Sequence, residues 1–262
     1  MFPDPAVLVP TLAYYGASRD HDLYFRAHYS AMAVKSANGS PEHDWSDFNA
    51  AFVEAVGVPE PNRSEAAYVL ARVRNAHIWR APIAGSREGL AALNRLGVPI
   101  GIVSNASGQV ESVLRRSGLC QVGHGEHPSV LCVVDSDIVR VAKPDPAIFE
   151  FALPHFDGIE RHRIAYVGDN VAMDVRGSVA AGLTPVLFDP FDDAVHLFEG
   201  MRIRSLADIV AQIDKVRPTL VIVDSVQTIA DETIESAPGS VTQVRECAFR
   251  LVQEAKARDI AV

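Results

Sequence analysis

Residues 164–170 read Ile-Ala-Tyr-Val-Gly-Asp-Asn, and this stretch decides the fold. Four apolar positions in a row, closed by a glycine and an acid, describe a short strand buried on both faces. Such strands belong to parallel sheets covered by helices. The flanks repeat the pattern. Val98–Val103 is a second buried-strand run, and Pro185–Phe188 a third. Between them lie helical stretches: Gln109–Ser117, with Val110, Val113 and Leu114 on one face and Gly118 at its end, and Val175–Ala181, stopped by Gly182. Asp145 is placed to cap another helix, with Pro146 in its first turn. Strands alternating with helices predict an α/β fold with a doubly wound parallel sheet, whose ligands sit at the carboxyl ends of the strands.

Outward from this unit the texture changes. Residues 6–81 are helical and loop-rich, with Tyr24, Phe25, Tyr29, Phe48, Phe52 and Val56 at three- and four-residue spacing and a polar loop over Ser36–Asp44. From Pro82 the α/β pattern begins, with Ser86 capping a helix that carries Leu90, Leu93 and Leu96. A helix at Leu206–Ile213 closes the unit near residue 215. Residues 216–262 form a tail: a strand at Leu220–Val223, a loop with Pro238 and Gly239, an amphipathic helix bearing Val241, Val244, Leu251 and Val252, and Ile260–Val262 as a strand cut short.

The 262 residues are 48% hydrophobic and 22% charged, which is globular composition. A net charge of -9 argues against a nucleic-acid or anionic-membrane partner. The three cysteines, Cys120, Cys132 and Cys247, form no CxxC pair, and the nine histidines form no ligand cluster. With no membrane-spanning run and no signal peptide, the expected location is cytoplasmic.

Three strand-end signals occur in order. Ser104 and Asn105 follow Ile102-Val103; a hydroxyl and an amide there can donate to a phosphate oxygen. Lys143, in Ala142-Lys143-Pro144-Asp145-Pro146, can neutralise a carboxylate and a transferring phosphoryl group. Asp169, followed five residues on by Asp174, suits a hard cation, Mg2+ above all. Singly each has a plainer reading. Ser-Asn is a turn, Lys-Pro a solvated surface lysine, and Asp174 a helix N-cap.

Together, in this order and spaced by α/β units, the three signals are similar to the later motifs of the haloacid-dehalogenase (HAD) superfamily, as is the run Lys143-Pro144-Asp145-Pro146-Ala147-Ile148-Phe149. The resemblance spans about residues 6–213. It implies a helical cap over residues 6–81 and a Rossmann-like core over 82–215. It also implies a Mg2+-dependent phosphatase of a small phosphorylated metabolite, or less readily a dehalogenase. Ser104 and Asn105 would bind the phosphoryl group, Lys143 would stabilise charge, Asp169 would ligate the metal and Asp174 would support it.

The chain departs from that family at its first motif, an apolar strand ending in a nucleophilic Asp. No such strand precedes Met1-Phe2-Pro3-Asp4-Pro5, and Asp4 lies between two prolines. The start is therefore expected to be truncated and turnover impaired; an inactive truncated or chimeric product is the alternative. The tail is similar to a different family, the RadA-type (RecA-like) DNA-repair ATPases, in Leu220-Val221-Ile222-Val223-Asp224-Ser225-Val226-Gln227-Thr228 and in Pro238–Glu246. Its Walker B form comes without a Walker A loop, so a stranded fragment is expected rather than an ATP site. A competing possibility is that Leu220–Val223 fills the vacant strand position, because an apolar strand followed by Asp224 and Thr228 also imitates the absent first motif.

Overall fold

A computed structural model describes residues 3–74, 78–81, 87, 90, 91, 94 and 99–204, together with the backbone of 220–223. The expected helix at Leu206–Ile213, the tail beyond Val223, and Asp224, Thr228 and Cys247 lie outside the described residues.

Four helices make up the described residues before 82: α1 (Pro5–Ala13), α2 (His21–Ala37), α3 (Ser46–Ala55) and α4 (Arg63–Val73), with turns and loops between them. Their starts follow local chemistry. The Asp4 carboxylate accepts from Ala6 N at 2.9 Å, with Pro5 at the first helical position, and Asp20 caps α2 through Asp22 N at 3.0 Å. Asp4 is thus a helix cap, also paired with Arg80 at 2.9 Å. The spaced aromatics make the core of this unit. Tyr24, Phe48 and Phe52 are buried with Leu8, Leu12, Val53 and Leu70, each burial contributing about 1.5–3 kcal/mol.

From Ile100 onward the chain alternates as expected: β1 (Gly101–Ser104), α5 (Val110–Arg116), β2 (Gln121–Val122), β3 (Ser129–Val130), β4 (Cys132–Asp135), α6 (Ser136–Val139), β5 (Ile164–Gly168), α7 (Arg176–Ala180), β6 (Thr184–Phe188), β7 (Met201–Ile203) and β8 (Leu220–Val223). The described residues of the helix expected after Ser86, namely Arg87, Leu90, Ala91 and Asn94, are helical. Two features differ from expectation. The segment capped by Asp145 is 3-10 rather than α-helix over Pro146–Phe151. The turn after β5 is a wide π-type turn over Val171–Val175, with α-helix starting at Arg176.

Each of the described ladders between these strands is parallel. β1 pairs β4 with Ser104 opposite Asp135, β2 pairs β3, and the largest sheet runs β7-β6-β5-β8. The last strand of that sheet comes from the tail: Leu220 to Val223 pair in register with Ile164 to Val167. Its other side lies beside β1. These four residues, expected to belong to a stranded fragment, pair within the sheet instead. All five residues of β5 are buried, and Ala165–Val167 pair with a neighbouring strand on both sides.

The helical unit rests on the carboxyl ends of the sheet. Arg26 pairs with Asp193, Ser36 Oγ reaches Asn170 Oδ1 at 3.3 Å, and Phe25 and Tyr29 meet Phe188 and Phe191 edge-on.

Candidate functional site

β1, β4 and β5 all point their carboxyl ends at this junction, and the sequence places a polar residue at each end. Ser104 closes β1. Asp135 closes β4 and is buried, and its carboxylate accepts from Gly108 N (2.9 and 3.0 Å), Val110 N (3.3 Å) and Asp137 N (3.0 Å). A buried carboxylate satisfied by backbone N–H groups fixes the path of residues 105–110. It therefore sets where Ser104 and Asn105 stand.

Asn105 is clamped to the lysine segment. Its Nδ2 donates to the Lys143 carbonyl at 3.0 Å, and its Oδ1 accepts from Lys143 N at 2.8 Å. The Lys143 side chain is buried. Its Nζ lies 2.7 Å from Asp174 Oδ1, 2.7 Å from Tyr166 Oη and 3.4 Å from the Val103 carbonyl. Tyr166 Oη itself donates to Val103 O at 3.0 Å. A desolvated ammonium held by a carboxylate and a phenol is a fixed positive charge at the head of the sheet, worth more to an anion than a solvated lysine.

Asp174 reaches Lys143 because Gly168 gives it room. A Cβ on Gly168 would meet the Asp174 carboxyl carbon at 2.4 Å. Oδ2 of Asp174 accepts from Asn170 N at 2.9 Å, closing the turn that follows β5. Asp169, next to Gly168, is partly exposed, with Oδ2 3.8 Å from Nε2 of His28 on α2. Burial pushes its carboxyl up, but His28 and the Lys143 ammonium outweigh this and hold it below the usual carboxylate range.

Of the residues singled out from sequence, Asn105, Lys143 and Asp174 join in one hydrogen-bonded network, Asp169 adjoins it, and Ser104 ends the neighbouring strand. For a metal the donor chemistry fits at Asp169, a carboxylate kept ionised and open on one side. The Asp174 oxygens are engaged by Lys143 and Asn170 N, so Asp174 fits the supporting place rather than a second direct ligand. Among the described residues no three His, Cys, Asp or Glu side chains gather as a metal cage. A hard cation here would keep several waters, as Mg2+ commonly does.

Four participants were missed from sequence: His28, Glu42, Asp135 and Tyr166. Glu42 comes from the polar loop after α2. That loop is pinned by the buried Lys35, whose Nζ donates to Pro41 O at 2.6 Å and to Asp44 O and lies 4.7 Å from the centre of the Trp45 ring. The Glu42 carboxyl lies within electrostatic reach of Asn105 and Lys143. Burial raises its carboxyl pKa, against the lowering pull of Lys143, Asn105 and Lys35. An anion from the helical unit thus faces the same groups that a phosphate would use.

Residues 12–182 match the protein family described as haloacid dehalogenase-like hydrolase. The chain is 35% identical over 143 residues to a phosphoserine phosphatase of Thermus thermophilus, covering 54% of this chain and 53% of that one. It is 52% identical over 50 residues to DNA repair protein RadA of Halalkalibacterium halodurans, covering 19% of this chain and 11% of RadA. Among solved structures it is similar to a putative HAD-hydrolase of Bacillus subtilis bound to magnesium, with TM-score 0.47 and 16% identity over 80% of this chain and 91% of that one. The chain therefore spans about half the length of the phosphatase relative and about a tenth of RadA. Among the described residues no helix is long and apolar enough to cross a membrane.

Proposed function

Because the chain belongs to the haloacid dehalogenase-like hydrolase family, we propose that its site binds a small phosphorylated metabolite and Mg2+ as a phosphatase does. The observation that carries this reading is the buried Lys143, fixed by Asp174 and Tyr166 beside the Asn105 clamp. That arrangement supplies positive charge and donors to a tetrahedral oxyanion without reorganisation. Similarity to a chain named a phosphoserine phosphatase supports a phosphate ester over a halide. In this reading Ser104 and Asn105 receive the phosphoryl oxygens, Lys143 offsets their charge and Asp169 holds the cation, with Asp174 keeping Lys143 and Asn170 in place. The metal would supply Lewis-acid neutralisation of phosphate oxygens. The region before residue 82 serves as the helical cap that excludes water and meets the substrate.

Turnover is proposed to be weak, because no apolar strand ending in an acid occurs within residues 3–81, ahead of Ser104 in the family order. The pairing of β8 beside β5 favours a second reading. Asp224, the next residue after Val223 in the chain, would supply the missing carboxylate; it lies outside the described residues. Steady-state hydrolysis of p-nitrophenyl phosphate by the purified chain with Mg2+ separates the two. Background rates for both the wild type and Asp224→Asn support impaired turnover. Robust Mg2+-dependent turnover lost in Asp224→Asn replaces it with the second reading. Robust turnover that survives Asp224→Asn overturns both.

A further inference from the structure

One strand remains unexplained by the site, and it comes from a part of the chain that resembles another family. β5 is buried along its whole length and bonds to β6 on one side only. Without β8 its other side would be an open parallel edge facing β1, with backbone donors and acceptors cut off from water. β8 covers that edge residue for residue, Leu220 opposite Ile164 through Val223 opposite Val167. Leu-Val-Ile-Val is an unbroken apolar run in which Val221, Ile222 and Val223 are β-branched, the composition of a strand enclosed on both faces. The direction is also permitted. Residues 204–219 separate β7 from β8, more than the roughly dozen positions that a parallel crossover needs.

The position of β8 has a consequence for the site. The two ladders that carry the polar strand ends, β1–β4 and β7-β6-β5-β8, are separate, and β8 is the strand of the larger one that lies beside β1. Ser104 ends one ladder, and Asp169 follows the end of the other. Across this joint Tyr166 of β5 donates to Val103 O of β1, and Lys143 bonds to both. The network closes only if the two ladders are held at the spacing that one intervening strand sets.

We infer that Leu220–Val223 is an integral strand of the core sheet, which seals the β5 edge and holds the two halves of the candidate site in register. Residues 220–223 then work in this chain as a structural part of the sheet. This holds whether or not the chain hydrolyses a phosphate ester.

Hydrogen exchange of the intact chain, read by mass spectrometry, tests it. Amides of 220–223 and of 164–168 are expected to exchange together and only through the slowest opening of the sheet. Exchange of 220–223 at the rate of unstructured chain overturns the inference. Two full-length variants extend the test. Val221→Pro removes a backbone donor in mid-strand opposite Ala165 and is expected to speed exchange of 164–168 and of 101–104 on the order of a hundredfold. Val221→Ala keeps the donor and is expected to change exchange of 101–104 less than about tenfold. Unchanged protection of 164–168 and 101–104 in Val221→Pro overturns the inference.

Discussion

Replacing Gly168 by alanine tests whether close approach at the end of β5 is what delivers Asp174 to Lys143. The added Cβ would lie 2.4 Å from the carboxyl carbon of Asp174, 2.5 Å from its Cβ and 2.5 Å from Oδ2. Carbon contacts relax to roughly 3.5 Å, so Asp174 must retreat by about 1 Å. The 2.7 Å bond from Lys143 Nζ to Oδ1 then stretches beyond hydrogen-bonding range. Overpacking alone costs about 1–3 kcal/mol. Dislocating a buried ion pair adds a share of the roughly 3–5 kcal/mol that outright removal of one partner costs. A total of about 3–4 kcal/mol corresponds to a fall in Tm of about 6–16 °C for a chain of this size. Gly101→Ala is the control. Its Cβ would meet Phe156 Cζ at 2.7 Å and Cys132 Sγ at 3.2 Å, which is apolar crowding away from the network. Thermal melts paired with calorimetric titration of Mg2+ separate the two. Both variants lose stability, but only Gly168→Ala loses Mg2+ affinity, by tenfold or more on the order expected for a displaced supporting carboxylate. A Gly168→Ala protein that melts within about 2 °C of wild type and binds Mg2+ equally well would refute the reasoning.

Other outcomes follow from the same contacts. Lys143→Met leaves the buried Asp174 carboxylate without its cation and is expected to cost about 3–5 kcal/mol in urea unfolding, most of it regained in Lys143→Met/Asp174→Leu. Glu42→Gln keeps shape but removes an anion beside Asn105 and Lys143; isothermal titration with inorganic phosphate is expected to show tighter binding, on the order of tenfold, and an unchanged affinity would place Glu42 outside the anion site. Asp169 has its carboxyl held low, so its contribution to stability is complete above about pH 4 and is lost as pH falls further; Asp169→Asn should flatten that part of the acid limb in pH-dependent melts. Burial raises Cys120 to about 12 and Cys132 to about 11, so at pH 8 the Cys132 thiolate is about one part in a thousand and Cys120 is lower still. Both are expected to resist a thiol reagent until the chain unfolds, and rapid labelling of either in the folded protein would contradict their burial.

Much of the core was legible because its determinants are local. Ile164–Val167 and Pro185–Phe188 became β5 and β6 almost to the residue, since a short apolar run between glycine or turn signals has few other uses. Asp145 caps its segment as expected, but Pro154 soon after bars a regular helix, and the chain passes through 3-10 turns instead. The strand-end positions of Ser104 and Asp169 were legible for the same reason, whereas Lys143, read as a strand-end signal, lies in a turn between α6 and the 3-10 segment at Pro146. What escaped notice is chemistry made by tertiary contact. The Tyr166 phenol sits inside an apolar run whose pattern says buried and cannot say that its oxygen meets Val103 and Lys143. Glu42 lies in a loop without periodicity, which Lys35 ties down near the site. β4 could have been found: Val130-Leu131-Cys132-Val133-Val134 is an apolar run ending in Asp135, and only its neighbour Leu131 is exposed enough to blur it.

The tail shows how resemblance and physical pattern can point different ways. A likeness to RadA-type ATPases leads to the expectation of a stranded fragment whose amphipathic helix packs on the neighbouring sheet. The pattern of residues 220–223 reports something else, a strand rich in Val and Ile with no charge, which any buried parallel edge of the right length accepts. β5 offers such an edge, and register is set by the pairing of four residues with four, not by where either segment came from. A strand's place in a sheet is therefore open to an unrelated apolar sequence, whereas the hydrogen bonds of Lys143 and Asp174 are not, since each needs a particular functional group at a fixed place.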